Sequence, residues 1–248
     1  MVVVAQISDL HFNGTDDHRN RVRAVLDYLH STVDGGAQIA ALLVTGDLTD
    51  EGLPAEYAEA ATELRSPIPI VTLLGNHDDR AAFTAERDGV ASTAPVNSAL
   101  RLDGLLILAL DSSIPGRSDG YLSDETIDWA RTQIAAAGDV DVLLTWHHPP
   151  AHLGMPYMDS ICLDTDERVT GLVKDHPNVV GVVTGHAHTG AATVFADRPL
   201  IIAPGVASTL NLPVEGPDWV NTSQGPGFAL HVIDEHRLTT LFRMLCTW

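Results

Sequence analysis

Short apolar runs of strand length alternate along the chain with segments of helical periodicity. Six runs are rich in Val, Ile and Leu and have the length of buried strands. They cover residues 2–7, 39–45, 68–74, 105–110, 142–146 and 179–184. Because these runs do not alternate with polar residues, they predict strands of a sheet that is covered on both faces.

Four segments between and after these runs predict helices. In the first, apolar residues recur at helical spacing between 22 and 33, after the acidic pair at 16 and 17. Pro54 suits the first turn of a second helix. Ser123 is a predicted N-cap for a third helix, which ends before Gly138, and residues 166–175 form the fourth.

The order of these elements predicts an α/β fold. Strands and helices alternate through the first half, which indicates parallel strands. Residues 191–245 are rich in strand patterns instead, which indicates antiparallel or mixed pairing. No linker, repeat or low-complexity tract divides the sequence, so we predict one domain over residues 1–248.

Charge and cysteine content narrow the classes of partner. The 248 residues include 14 Lys and Arg against 33 Asp and Glu, a formal charge of −19. Such a charge opposes binding to a nucleic acid polymer or to an anionic membrane. No basic leader and no membrane-spanning run are present, and Cys162 and Cys246 are the only cysteines. We therefore expect a cytoplasmic protein, and leave open whether either cysteine forms a disulfide.

Polar side chains follow five of the predicted strands, at the point where each strand ends. In open α/β sheets this is the edge at which loops converge to form a site. The residues are Asp9 and His11, Asp47, Asn76 with His77 and Asp78, His147 with His148, and His186 with His188. We expect residues that are distant in sequence to meet there.

Seven of these side chains are predicted metal ligands: Asp9, His11, Asp47, Asn76, His147, His186 and His188. Carboxylate, amide and imidazole donors suit Mn, Fe, Zn or Co better than a metal that prefers thiolates. Seven donors are too many for one catalytic ion with an open position, but they suit two ions. Asp47 is the expected bridge between them, and Gly46, Gly75 and Gly185 are expected to provide the turn torsions at the strand exits.

The ordered motifs resemble those of the calcineurin-like metallophosphoesterases. They are Asp9-Leu-His11, Gly46-Asp47, Gly75-Asn-His-Asp78, His147-His-Pro149 and Gly185-His-Ala-His188. Within that superfamily, Gly46-Asp-Leu-Thr-Asp-Glu-Gly52, Leu110-Asp-Ser-Ser113 and Gly120-Tyr-Leu122 are similar to the class III cyclic nucleotide phosphodiesterase and glycerophosphodiesterase branch. The resemblance implies a four-layer sandwich of two mixed sheets flanked by helices, with the strands from about residue 191 completing the second sheet.

The resemblance also implies roles for the residues. Asp9, His11 and His188 would bind one ion, Asn76, His147 and His186 the other, and Asp47 both. The implied reaction is phosphodiester hydrolysis by a hydroxide that bridges the metals, with Asn76 and His77 contacting the phosphate. His77 would help the leaving oxygen depart, and Asp78 is expected to orient an imidazole.

The substrate and the assembly stay open at this stage. The resemblance favours a 3′,5′-cyclic nucleotide, with a 2′,3′-cyclic nucleotide or a glycerophosphodiester as alternatives. A non-catalytic metal-binding interaction protein is the alternative from another class, but no expected ligand is missing. The order of the motifs disfavours an amidohydrolase, in which His-x-His follows the first strand. Relatives suggest a homodimer built from the carboxyl-terminal strands.

Other polar residues receive structural interpretations. His148 is expected to point away from His147, and Asp50 and Asp111 to hold turns or loops. His231 is a candidate for the substrate cleft. The segments 155–162 and 211–224 are either a substrate rim or a dimer contact.

Overall fold

The computed structural model describes residues 1–36 and 38–246. Its helices are α1 (Asp16–Asp34), α2 (Pro54–Glu63), α3 (Arg80–Asp88), α4 (Asp124–Ala137), α5 (Pro156–Ser160) and α6 (Glu167–Lys174). Its strands are β1 (Val2–Ile7), β2 (Ala41–Thr45), β3 (Ile70–Leu73), β4 (Ser98–Leu102), β5 (Leu105–Ala109), β6 (Asp141–Thr145), β7 (Val179–Thr184), β8 (Ala191–Phe195), β9 (Arg198–Ile202), β10 (Thr209–Leu210), β11 (Val220–Asn221), β12 (Gly227–Asp234) and β13 (Arg237–Met244).

Two mixed sheets lie face to face, and the predicted four-layer α/β sandwich is confirmed. One sheet has the order β13-β12-β1-β2-β3, and the other has the order β4-β5-β6-β7-β9-β8. The strands β1, β2 and β3 are parallel, as are β5, β6, β7 and β9. Because parallel neighbours end at the same edge, the polar residues that follow them are brought together.

Apolar side chains fill all three interfaces between the four layers. Residues such as Val4, Leu43 and Ile107 form the cluster between the two sheets. A second cluster packs α1, α2 and α3 on the first sheet, and a third packs α4 and α6 on the second. Both faces of β2, β5, β6 and β7 are therefore buried, which explains why these strands are continuous apolar runs.

The carboxyl-terminal strands correct one expectation. Only β8 and β9 extend the second sheet, whereas β12 pairs antiparallel with β1 and carries β13 at the edge of the first sheet. The strands β10 and β11 form a separate two-stranded ribbon. The alternation of apolar residues indicates that a strand exists but does not identify its partner, so sequence alone assigned these strands to the wrong sheet. That residues 1–248 form one domain stays a prediction.

The helix α3 was not predicted, although its ends carry local signals. The Asp79 side chain accepts a hydrogen bond from the backbone N–H of Ala82 (2.7 Å), and Gly89 closes the helix in a left-handed conformation. For α4 the prediction is confirmed, since Ser123 Oγ accepts from the N–H of Thr126 (3.2 Å). Within the described residues, none of the helices has the length and apolarity needed to cross a bilayer.

His231 lies inside the first sheet rather than in a cleft, and it should make stability depend on pH. Its ring nitrogens are 2.8 Å from Gln6 Oε1 and 2.8 Å from Thr240 Oγ1. Burial lowers its pKa to about 3 from an ordinary value of 6.5. Between these values the unfolded chain binds a proton that the folded chain does not. Stability should therefore fall as the pH drops below 6.5, by up to about 1.4 kcal/mol per pH unit from this residue.

Urea denaturation of the wild type and of His231→Gln at several pH values between 4 and 7 measures this contribution. We expect the variant to be less stable at pH 7 but to lose less stability on acidification. If the two free energies of unfolding ran parallel over this range, His231 would not be the residue that titrates.

Candidate metal centre

The seven predicted ligands converge where the carboxyl ends of both sheets meet. The loop after β1 is hydrogen-bonded to the loop after β2, since the N–H of Asp9 donates to the Gly46 carbonyl (3.1 Å). The loops after β6 and β7 are joined in the same way by Gly185 and His147 (2.9 Å). A link across the two sheets comes from His147, whose Nδ1 donates to the Thr45 carbonyl at the end of β2 (2.8 Å).

One carboxylate oxygen lies between histidines from the two sheets. Asp47 Oδ2 is 3.7 Å from His11 Nε2 and 3.3 Å from His147 Nε2. On one side of it, His188 Nε2 is 3.2 Å from His11 Nε2 and 3.5 Å from Asp9 Oδ1. On the other side, His186 Nδ1 is 3.2 Å from His147 Nε2. Asp9, His11 and His188 thus lie on one side of the Asp47 carboxylate, and His147 and His186 lie on the other.

Each of the four histidines has its other ring nitrogen hydrogen-bonded outside the cluster. His11 Nδ1 donates to Asp50 Oδ1 (3.0 Å), and His186 Nε2 donates to the Ile161 carbonyl (3.1 Å). His147 Nδ1 donates to the Thr45 carbonyl (2.8 Å), and His188 Nδ1 is 2.9 Å from Ser208 Oγ. Such outer hydrogen bonds orient the ring and direct its other nitrogen inwards, as in metal-binding histidines.

Two buried oxygens in the same cluster lack a hydrogen-bond partner among the described residues. They are Asp9 Oδ2 and Asn76 Oδ1. An unpaired buried polar atom is costly, and a metal ion is one group that would pair it. Together with the inward-facing histidine nitrogens, these oxygens form a donor set that fits divalent transition metals.

Five of the seven ligand positions have a backbone that non-glycine residues seldom adopt. The φ angles are positive at Asp9 (57°), His11 (47°), Asp47 (48°), His186 (72°) and His188 (52°). Such torsions persist where the surrounding structure enforces them, and they are concentrated at functional sites. The positive φ angles therefore occur at the predicted ligands themselves, and among the three glycines expected to supply turn torsions only Gly46 has a positive φ (90°).

Gly75 is required for close approach instead, and an alanine there should disturb the cluster. An added Cβ would lie 2.6 Å from the Asp47 backbone nitrogen and 2.7 Å from His147 Nε2. We expect Gly75→Ala to weaken metal binding roughly 10- to 100-fold, the usual cost of displacing ligand supports. Equilibrium titration with Mn²⁺ measures this loss. Gly190→Ala is the matched control because its Cβ would make ordinary contacts of 3.4 Å or more, and equal affinities for the two variants would contradict the prediction.

Opposite charges are paired at the centre of the cluster. Burial alone would lower the pKa of His147, but the negative charge of Asp47 raises it to about 9. Burial would likewise raise the pKa of Asp47, yet the charge of His147 holds it well below its usual range. Burial lowers the pKa of His186 and of His188, so these rings are neutral. A cation bound here would replace the proton of His147, and binding would release that proton.

Of the two predicted catalytic residues, His77 lies at the cavity and Asp78 lies between two loops. His77 is exposed at the cavity, and its Nδ1 donates to the Asp50 carbonyl (2.7 Å), which leaves Nε2 available. Among the described residues, no imidazole is hydrogen-bonded to Asp78, which was expected to orient one. Its carboxylate accepts from the N–H groups of Leu48 (3.1 Å) and Gly75 (2.9 Å), and also from Tyr57 and Thr49. Asp78 thereby ties the loop after β2 to the loop after β3.

Two further residues have roles that the sequence did not reveal. Asp50 was interpreted as a turn carboxylate, but it is the partner of His11 Nδ1. His148 was expected to point away, yet its buried ring lies 4.6 Å from the ring of His186 and 4.9 Å from that of His147. Its Nδ1 is 2.8 Å from Ser112 Oγ. The adjacent histidines at 147 and 148 were the only local signal for this contact.

A cavity of about 300 Å³ opens beside the cluster. His11, Asp47, Asn76, His77, His186 and His188 line its floor, and residues from the segments 155–162 and 211–224 line its wall. Both segments therefore lie at the rim of the site. As expected, Asp111 holds a loop, since it accepts from the N–H of Val96 (2.8 Å) and pairs with Arg80 (2.8 Å).

The sequence that carries these residues matches a known family. The family model described as calcineurin-like phosphoesterase matches residues 2–190. The chain belongs to this family. The match covers every predicted ligand of the metallophosphoesterase site, and it confirms the resemblance that the motifs indicated.

Relatives of this metallophosphoesterase include two kinds of phosphodiesterase. It is 34% identical over 229 residues to a probable cyclic nucleotide phosphodiesterase of Rhodococcus erythropolis, covering 88% of this chain and 74% of that one. It is 29% identical to a glycerophosphodiester phosphodiesterase of Enterobacter lignolyticus, covering 82% and 77% of the two chains. A dimetal phosphatase from Danio rerio superposes with a TM-score of 0.68 at 14% identity, over 98% and 96% of the chains, and shows the same fold.

Proposed function

We propose that this metallophosphoesterase is a binuclear metal-dependent phosphodiesterase that hydrolyses small phosphodiesters, 3′,5′-cyclic nucleotides first among them. The position of Asp47 Oδ2 between His11 and His147 carries the proposal, because a carboxylate shared by two sets of donors is how two-metal sites are built. The proposed ligands are Asp9, His11 and His188 for one ion, Asn76, His147 and His186 for the other, and Asp47 for both.

The proposed ions are Mn, Fe, Zn or Co, since the donors are imidazole nitrogens and hard oxygens without a thiolate. When bound, two such cations would screen the charge of a phosphodiester and make water a stronger nucleophile near neutral pH. Both are needed because the diester already carries a negative charge and the protein as a whole is strongly acidic. Attraction of the substrate must therefore be local.

The residues of the chain have separate tasks in this reaction. Asn76 and His77 reach the cavity and would contact the phosphate. The hydrogen bond from His77 Nδ1 to the Asp50 carbonyl orients the ring, so that the protonated imidazolium can give its Nε2 proton to the departing oxygen and is left as the neutral ring. Asp78 stabilises the loops that carry Asp47 and His77, because it accepts hydrogen bonds from the N–H groups of Leu48 and Gly75. The N–H of His77 also donates to Asp47 Oδ1 (3.0 Å).

Hydrolysis of glycerophosphodiesters is the second candidate, and the relative from Enterobacter lignolyticus favours it. A cAMP/cGMP dual specificity phosphodiesterase of Mycobacterium tuberculosis, 30% identical over 86% of this chain and 70% of its own length, favours the cyclic nucleotide instead. The proposal also includes a cytoplasmic location, which two free cysteines support. Assembly as a homodimer through the carboxyl-terminal strands stays a prediction.

A substrate panel tests the proposal. The protein is stripped of metal, reloaded separately with Mn, Zn, Fe or Co, and assayed with 3′,5′-cAMP, 2′,3′-cAMP, glycerophosphoethanolamine and the monoester p-nitrophenyl phosphate. We expect diesters to be hydrolysed with a higher kcat/KM than the monoester. A preference for the monoester, or no hydrolysis with any metal, would overturn the proposal.

A further inference from the structure

Two half-exposed aromatic side chains line the cavity, and the proposed hydrolysis assigns them no role. They are Tyr157, on α5, and Trp219, which directly precedes β11. We infer that these rings bind the base of a nucleotide substrate by stacking. The inference rests on the proposed function and names the substrate class of the same site: a cyclic nucleotide rather than a glycerophosphodiester.

The two rings are arranged so that they can receive a third. Their centroids are 5.2 Å apart and the rings meet edge to face at 71°. An edge-to-face pair leaves ring faces uncovered, and the side chains are 56% and 50% exposed for Tyr157 and Trp219. Large aromatic side chains that stay exposed together at a cavity mark a surface for ligand contact. A planar base can stack on such faces whatever its identity.

The backbone holds both rings in a fixed relation to the metal ligands. The segment of Tyr157 ends at Ile161, whose carbonyl accepts the hydrogen bond from His186. The segment of Trp219 is joined to Ser208, the partner of His188, because β10 pairs with β11 and the Trp219 carbonyl accepts from the N–H of Asn211 (2.7 Å). A base stacked on an uncovered face of either ring would therefore keep its phosphate close to the ligand cluster.

The chemistry of the wall favours a neutral planar group over a cation. Met158, Ile161, Leu210 and Val220 line the same cavity with apolar side chains, and Ser118 and Ser208 add two uncharged hydroxyls. Among the described residues that line this cavity, Asp47 on the floor is the only carboxylate. Inside the cavity, the choline or ethanolamine of a glycerophosphodiester would thus find aromatic faces but no second carboxylate among the described lining residues. A cavity of about 300 Å³ has the size of a small-molecule site.

Relative kinetics with two diesters test the inference. We expect Trp219→Ala to lower kcat/KM for 3′,5′-cAMP by about 5- to 150-fold, the usual cost of losing a stacking partner, and Tyr157→Ala to act in the same direction. Both variants should leave kcat/KM for glycerophosphoethanolamine within about twofold, and Trp219→Phe should restore most of the activity on cAMP. Tyr28→Ala is the matched control, since Tyr28 is a half-exposed aromatic residue on α1 outside the cavity.

Measuring the binding of two monophosphates tests this inference independently of the proposed reaction. The probes are 5′-AMP and ribose 5-phosphate, which share the sugar and phosphate and differ in the base. We expect AMP to bind more tightly, to quench tryptophan fluorescence, and to lose both effects in Trp219→Ala. If AMP behaves so while no diester is hydrolysed, the proposed reaction fails and this inference stands.

Two results would overturn the inference while the reaction stands. One is hydrolysis of cAMP with an unchanged ratio of kcat/KM values in Trp219→Ala, together with equal binding of AMP and ribose 5-phosphate. The other is a loss in both aromatic variants that is confined to glycerophosphocholine, because that result would identify a cage for a quaternary ammonium group.

Discussion

Replacing Asp47 by alanine is expected to remove both metal ions and to lower kcat/KM roughly 10³-fold or more. Asp47 Oδ2 is the oxygen placed between His11 and His147, so its loss opens both halves of the cluster at once. Substitution of an outer partner such as Asp50 should have a smaller effect, roughly 10- to 100-fold in the affinity of one ion.

Metal analysis of the purified Asp47→Ala variant, beside its activity, measures this outcome. Asp103→Ala is the control, because Asp103 is an exposed carboxylate in the turn between β4 and β5. Both proteins should be folded when stripped of metal, which separates loss of metal from loss of fold. If Asp47→Ala retained two ions, Asp47 would not be the residue that bridges them.

The second large effect is expected for His77→Ala. The variant should keep its metal content, because His77 Nδ1 is bound to the Asp50 carbonyl outside the ligand set. Its kcat should fall by about 10²- to 10⁴-fold, the usual contribution of a general acid. The loss should be larger for diesters with poor leaving groups, because these depend most on proton donation.

A series of aryl and alkyl phosphodiesters with leaving groups of different pKa tests this dependence. His236→Ala serves as the control, since His236 is an exposed histidine on the turn before β13. An equal loss for every leaving group would show that His77 positions the phosphate without transferring a proton.

The sequence indicated where the predicted metal ligands lie, but it did not indicate which residues hydrogen-bond to them. Every predicted ligand follows a strand, and the exit of a buried strand is readable because an apolar run ends abruptly in polar residues. The hydrogen bonds that orient these ligands cannot be predicted from such local patterns. Asp50 and Ser208 reach His11 and His188 from loops distant in sequence, and only the packing of both sheets brings them together.

The same limit applies to the fold. Apolar runs and periodicity identified six of the thirteen strands and four of the six α-helices among the described residues, and the family resemblance implied the sandwich. The partner of a strand depends on packing across the whole molecule, so β12 and β13 were assigned to the wrong sheet. His148 was misplaced for a related reason, because neighbouring side chains on an irregular loop need not point in opposite directions.

The most direct measurement of the central claim is a crystal structure of the protein grown with Mn²⁺, with anomalous scattering recorded at the manganese edge. The account predicts two anomalous peaks per chain, roughly 3.5 to 4 Å apart, with a carboxylate oxygen of Asp47 bound to both. A single peak, two peaks that do not share Asp47, or no peak at the ligand cluster would contradict it.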